Sequence, residues 1–194
     1  MVAGLILGVV AFMGPWYTMN GTGTLGVNYT VDMYLTRMEA KGTIFNNDIS
    51  WSTGYAEAQE NAQSVGVNTQ SFTIIQTAMY LTFFALVTAL LAILGMTAFV
   101  FRFGTARTMK YFGGVCGLVM SVLAVVPAVY VMTTGFSENN TGFWFKETVL
   151  GVTITGGPGY AWYLMIVVAI IAVISAAAIL LTKVPRDDTV APPM

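Results

Sequence analysis

Four stretches of this chain, residues 1–31, 61–101, 111–137 and 148–182, contain no Asp, Glu, Lys or Arg. About twenty uncharged, mostly apolar residues are enough to carry a helix across the hydrocarbon of a bilayer. The pattern points to an integral membrane protein, a single membrane domain over residues 1–194. Spans are expected at about 2–17, 71–101, 111–132 and 160–182. It also restricts chemistry. Ion paths and proton relays usually depend on an ionisable side chain inside the membrane, and the uncharged stretches offer none.

Composition narrows the field further. Of 194 residues, 56% are hydrophobic and 9% charged, against roughly 25% charged in an ordinary soluble domain. A net charge of −1 without a basic stripe gives no basis for nucleic-acid binding. The chain has no His, which removes imidazole metal ligands, His-based triads and His proton shuttles. Its one cysteine, Cys116, lies in an apolar run and reads as a buried, inert thiol. No cofactor is implied, and no enzyme.

The first expected span, Val2–Tyr17, is short. Gly14-Pro15 would break a helix there, and Trp16 and Tyr17 suit the boundary between hydrocarbon and water as membrane anchors. No basic segment precedes this run and no A-x-A site follows it, so it reads as a span rather than a signal peptide. Residues 18–70 then form a polar loop carrying seven of the seventeen charges. Within it, Val27 to Met38 alternates, with Val27, Tyr29, Val31, Met33 and Leu35 on one face and Asn28, Thr30, Asp32, Tyr34 and Thr36 on the other. That is the signature of a half-buried strand. Lys41-Gly42 reads as a turn, Thr43–Ile49 as a returning strand with a bulge or second turn at Asn46–Asp48, and Tyr55–Gln63 as a short surface helix.

The second span, at thirty-one residues, would be about 46 Å long, so it tilts or protrudes. Arg102, Arg107 and Lys110 follow it with no acid between them, which marks this link as cytoplasmic. Pro127 is the expected kink of the third span. A second outer loop, 133–157, contains the strand-like or hairpin-like Phe143–Ile154. The tail, 183–194, is proline-rich and expected to be disordered. Both termini are then cytoplasmic in a multi-pass cell-membrane protein, with loops 18–70 and 133–157 outside. The N-x-[ST] sequons at Asn20, Asn28 and Asn139 all fall in those loops and are candidate glycosylation sites.

Trp16 just after the first span, followed by Asp32-Met33-Tyr34-Leu35, resembles the claudin-like group of four-span proteins. Members of that group carry a Trp at the first position and a Gly-Leu-Trp-like element at the second. The resemblance implies four spans with a β-rich first loop. The cysteine pair that staples the loop in that group has no counterpart here.

The remaining motifs have structural readings. Gly4-x-x-x-Gly8, Gly113-x-x-x-Gly117 and Ala172-x-x-x-Ala176 allow close helix approach and are expected to pack the chain internally rather than drive dimerisation. The scattered methionines fill gaps. Gly156-Gly157-Pro158-Gly159 lacks the Lys of a phosphate loop and reads as a break before the last helix. The outer acids lack the spacing of a calcium loop. Threonines of the second span bond back to their own helix.

The expected fold is thus a four-transmembrane-helix bundle with a small extracellular antiparallel β-sheet from the first and second outer loops. The expected role is that of a non-enzymatic structural or auxiliary protein, acting through lateral assembly and outer-loop contacts. Tyr34, Trp51, Phe143 and Trp144 are its candidate interface. The expected partners are the lipid bilayer and either further copies or the subunits of a larger membrane complex. The alternative is a channel or carrier formed by oligomerisation.

Overall fold

Gly14 and Pro15 decide how the chain begins. In the computed structural model, which describes residues 1–24, 26–64, 70–101, 103, 105–134 and 143–183, helix α1 (Val2–Met13) stops at an extended Gly14. Strand β1 (Pro15–Gly23) follows at once. Proline has no N–H to continue the helical ladder, so Trp16 and Tyr17 become strand residues. The twelve residues of α1 reach about 18 Å, well short of a hydrocarbon core of roughly 30 Å.

The four-transmembrane-helix bundle is therefore corrected. Among the described residues three helices are long and apolar enough to cross a membrane: α3 (Gln70–Val100), α4 (Ala106–Thr134) and α5 (Tyr160–Leu181). The short α1 lies against α5 and α3.

Strands β2 (Val27–Tyr34), β3 (Arg37–Ile44) and β4 (Asn47–Gly54) follow β1, and helix α2 (Tyr55–Ser64) leads toward α3. Between α4 and α5 a hairpin forms from β5 (Phe145–Val149) and β6 (Val152–Pro158). All six strands join in one antiparallel sheet, ordered β4-β3-β2-β1-β6-β5. The sheet thus draws on both inter-helix segments, joined where β1 pairs with β6.

Two details depart from the sequence reading. Lys41-Gly42 is not a turn. Gly42 lies inside β3 at φ 149, with the Tyr29 backbone so near that a Cβ would sit 2.4 Å from its Cα; only glycine fits that position. The turn comes later, at Phe45 and Asn46, both at positive φ. Likewise Gly156-Gly157-Pro158 belongs to β6, paired with Met19, Thr18 and Tyr17.

One core runs from the sheet into the helices. Trp16, Tyr17, Met33 and Met38 from the strands and Leu35 from the β2–β3 link meet Tyr55 of α2, Ile74 and Ile75 of α3, Val131 of α4 and Met165 of α5. The polar atoms of its aromatics are satisfied. Trp16 Nε1 donates to Ala11 O at 2.9 Å, Tyr17 Oη to Phe143 O at 3.0 Å, and Trp162 Nε1 to Ala128 O at 2.8 Å. Tyr55 Oη donates to Tyr34 O.

The helices touch through small residues. A Cβ on Gly113 would stand 2.8 Å from Met96 N, so α3 and α4 approach backbone to backbone there. Gly4, Gly8, Gly117, Ala172 and Ala176 are also buried between helices. At the end opposite the sheet, Lys110 Nζ donates to Thr182 O at 2.6 Å, placing a cation at the carbonyl-rich end of α5.

Candidate functional site

Strand pairing fixes which side chains share a face. One face carries the row Lys146, Thr155, Asn20, Thr30, Lys41, Ser50, and beside it Gly157, Thr18, Asp32, Glu39, Ser52. The other carries Phe145, Gly156, Met19, Val31, Ala40, Trp51, and nearer the helices Pro158, Tyr17, Met33, Met38, Thr53. The first face is polar and the second apolar, as the alternation of Val27–Leu35 predicts.

Charges cluster on the polar face around Glu39. Glu39 accepts from Arg37 Nε at 2.8 Å and from Lys41 Nζ at 3.1 Å. The Arg37 hydrogen bond, then that from Lys41, holds the Glu39 carboxyl below the usual range. Asp32 stands directly opposite Glu39, a like-charge pairing that costs stability on its own. Thr18 Oγ1, donating to Asp32 at 2.8 Å, and the two flanking cations compensate it. A shallow hollow of about 250 Å³ between β1 and β6 is lined by Thr18, Asn20, Thr155, Gly156, Gly157 and Pro158. It holds no ionisable side chain. Among the described residues no group of three metal-ligating His, Cys, Asp or Glu side chains occurs.

The four interface candidates separate into two kinds. Trp51, on edge strand β4, is 45% exposed, and Trp144, just before β5, is 55% exposed. Phe143 is 4% exposed. It is core, with its ring centroid 5.4 Å from Tyr17, 4.9 Å from Trp144 and 5.7 Å from Trp162. Tyr34 is half-buried, with the Arg37 guanidinium 4.5 Å from its ring centroid. Burial first, then Glu39 and Asp32, raises its phenol above the usual value.

Trp16 and Tyr17, the expected boundary anchors, are fully buried between sheet and helices. Burial raises the Tyr17 and Tyr55 phenols well above their usual value. Asn20 and Asn28 are exposed on the polar face, diagonal to one another across β1 and β2; Asn20 Oδ1 accepts from Thr30 Oγ1 at 2.8 Å. Asn139 and Arg102 lie outside the described residues.

Sequence reasoning offered a bulge or second turn at Asn46–Asp48, which overlaps the first hairpin tip at Asn46, but it missed the exposed residue that leads each tip. Phe45 is 66% exposed and Leu150 99% exposed, each at positive φ at the end of the sheet away from the helices. Asn-Gly is the usual signal for such turns, and an apolar residue in the first position hides it.

No protein-family model and no curated protein sequence matches this chain, so its functional reading rests on its own geometry.

Proposed function

We propose that this chain is a non-enzymatic membrane protein, a structural or auxiliary element that works by contact: the helices sit in the bilayer and the sheet meets other proteins. One observation carries the reading. Three long apolar helices among the described residues, charged only in the first five residues of α4 at Arg107 and Lys110, share a core with a sheet that leaves Trp51 and Trp144 exposed. Catalysts and ion-coupled carriers need groups that change charge or hold an ion. An interface needs shape, aromatic anchors and a satisfied backbone.

The same geometry supports a multi-pass orientation. Arg107 and Lys110 begin α4 at the end away from the sheet, and the bias of basic residues toward the cytoplasm supports a reading with that end inside and the sheet outside.

Native mass spectrometry in mild detergent tests the proposal. A homo-oligomer or hetero-complex that weakens in W51A/W144A, with the monomer still folded, supports it. A monomer that conducts a solute in liposomes overturns it in favour of transport. For orientation, A106C in a C116A background should resist an impermeant thiol reagent added outside intact cells; labelling there reverses the assignment.

A further inference from the structure

The two edges of the sheet fit each other. Among the described residues β4 pairs only with β3 and β5 only with β6, and no other backbone–backbone hydrogen bond reaches either strand. Edges are normally blunted by Pro, Lys, a bulge or a covering element. β4, with the sequence NDISWSTG, has none of the first three, and its eight register pairs with β3 are unbroken. Such an edge is a template for another strand.

We propose that copies of this chain join head to tail through these edges, β5 of one copy against β4 of the next, in a closed ring above the membrane. This rests on the contact-protein reading and names its partner as a second copy.

Strand direction selects the contact. Six antiparallel strands are an even number, so β5 runs away from the helices and β4 runs toward them. Copies held in one bilayer share the same upward direction. β5 beside a neighbour's β4 is then antiparallel, with apolar faces on the same side, and continues the alternation of the sheet itself. Two like edges would run parallel with their faces reversed.

Side chains agree with that choice. Phe145 and Trp51 end the same row of the apolar face, and Lys146 and Ser50 end the same row of the polar face. Continuing those rows puts Phe145 against the neighbour's exposed Trp51, an aromatic cross-strand pair. It puts Lys146 opposite Ser50 and diagonal to Asp48, within reach of an ion pair. Thr148 faces Asp48, a hydroxyl–carboxylate pairing the sheet already uses at Thr43 and Asp48, 3.2 Å apart. Glu147 falls opposite Ile49, where that face opens to solvent.

Two magnitudes limit the assembly. Six strands about 4.8 Å apart cover roughly 29 Å, room for three helices packed 8–10 Å apart. Strand twist of roughly 20–25° per strand would tip each successive copy out of the bilayer in a flat row. A shared membrane therefore requires the twist to be taken up as coiling about the membrane normal, as in a barrel wall. A head-to-tail contact of that kind closes a ring.

The test uses the full chain in lipid nanodiscs, in a C116A background, with two cysteine pairs, S50C/K146C and W51C/F145C. Neighbouring rows alternate between the two antiparallel pair geometries, so one pair suits a disulfide. On mild oxidation a chain carrying both cysteines should give a ladder ending at one ring size. S50C chains mixed with K146C chains should stop at dimers. In the W51C/F145C chain, where both charges are retained, D48K and K146E should each lower the cross-linked fraction about two- to fivefold, and D48K/K146E together should restore it, which also shows that the variants fold. An oligomer by native mass that cross-links at neither pair overturns the edge contact while leaving the contact-protein reading standing. A monomer in the unmodified chain overturns the ring, and with it assembly from like copies; a hetero-complex in that sample would leave the contact-protein reading intact.

Discussion

The indole N–H of Trp16 donates to the main-chain carbonyl of Ala11 across 2.9 Å. In a continuing helix that carbonyl would accept from the N–H of residue 15, but residue 15 is proline and has none. Trp16 takes over the bond and fills the space between helix and sheet with its ring. This contact ties the helix end to the first strand and to the core.

Replacing Trp16 with Phe should therefore cost more than lost volume. The ring body stays, but a buried carbonyl loses its partner, a penalty of about 1–3 kcal/mol. W16A, which also opens a cavity, should cost about 3–5 kcal/mol. Thermal or denaturant unfolding in detergent reads both. Equal stability of W16F and the parent chain would remove the capping role.

How much of this arrangement was legible in the sequence follows from what each residue type can signal. Gly14-Pro15 announced a break, and the alternation of Val27–Leu35 announced a strand with the right face inward. What could not be read was what the break led to. Trp16 and Tyr17 carry the signature of an interfacial belt whether they meet lipid or a sheet, so β1 was hidden and the first apolar run looked longer than its helix. Gly42 and Gly156 look like turn residues because glycine is used both for turns and for strand positions where a side chain has no room. Phe45 and Leu150 conceal true turns for the opposite reason. Of the interface aromatics, only partners distant in sequence separate Phe143, which is core, from Trp144 beside it, which is exposed.

Alkaline pH should loosen the junction of sheet and helices. Burial raises the phenols of Tyr17 and Tyr55 in the folded protein above the usual value of 10.0. A raised folded value means the stability it carries is complete below pH 10.0 and is lost as pH climbs from there toward the folded values. Ultraviolet titration should show these two tyrosines ionising last, together with unfolding. Y17F should flatten the alkaline fall in stability. If all nine tyrosines ionise in one step with the fold intact, the two are not buried as described.

The contact of α3 and α4 should not tolerate a side chain at Gly113. A Cβ there meets Met96 N at 2.8 Å, and neither backbone can yield without moving its helix. G113A should destabilise by about 1–3 kcal/mol, the usual cost of overpacking, and G113L by more. Retained thermal stability in G113L would show that the helices can separate at no cost.

Leu150 should be replaceable with a gain. It stands 99% exposed at φ 51, followed by Gly151 at φ 80, so it has almost no packing to lose and occupies a backbone region unfavourable to a branched apolar side chain. Both residues of this turn need positive φ, and Asn-Gly is the pair that meets the requirement most readily. The left-handed penalty for an ordinary residue is roughly 1–2 kcal/mol, and Asn relieves part of it. L150N should therefore raise stability by up to about 1 kcal/mol. Hydrogen exchange should show the gain confined to β5 and β6, because the strain is local to their hairpin. A loss of stability in L150N would mean that Leu150 is held in place by contacts of its own.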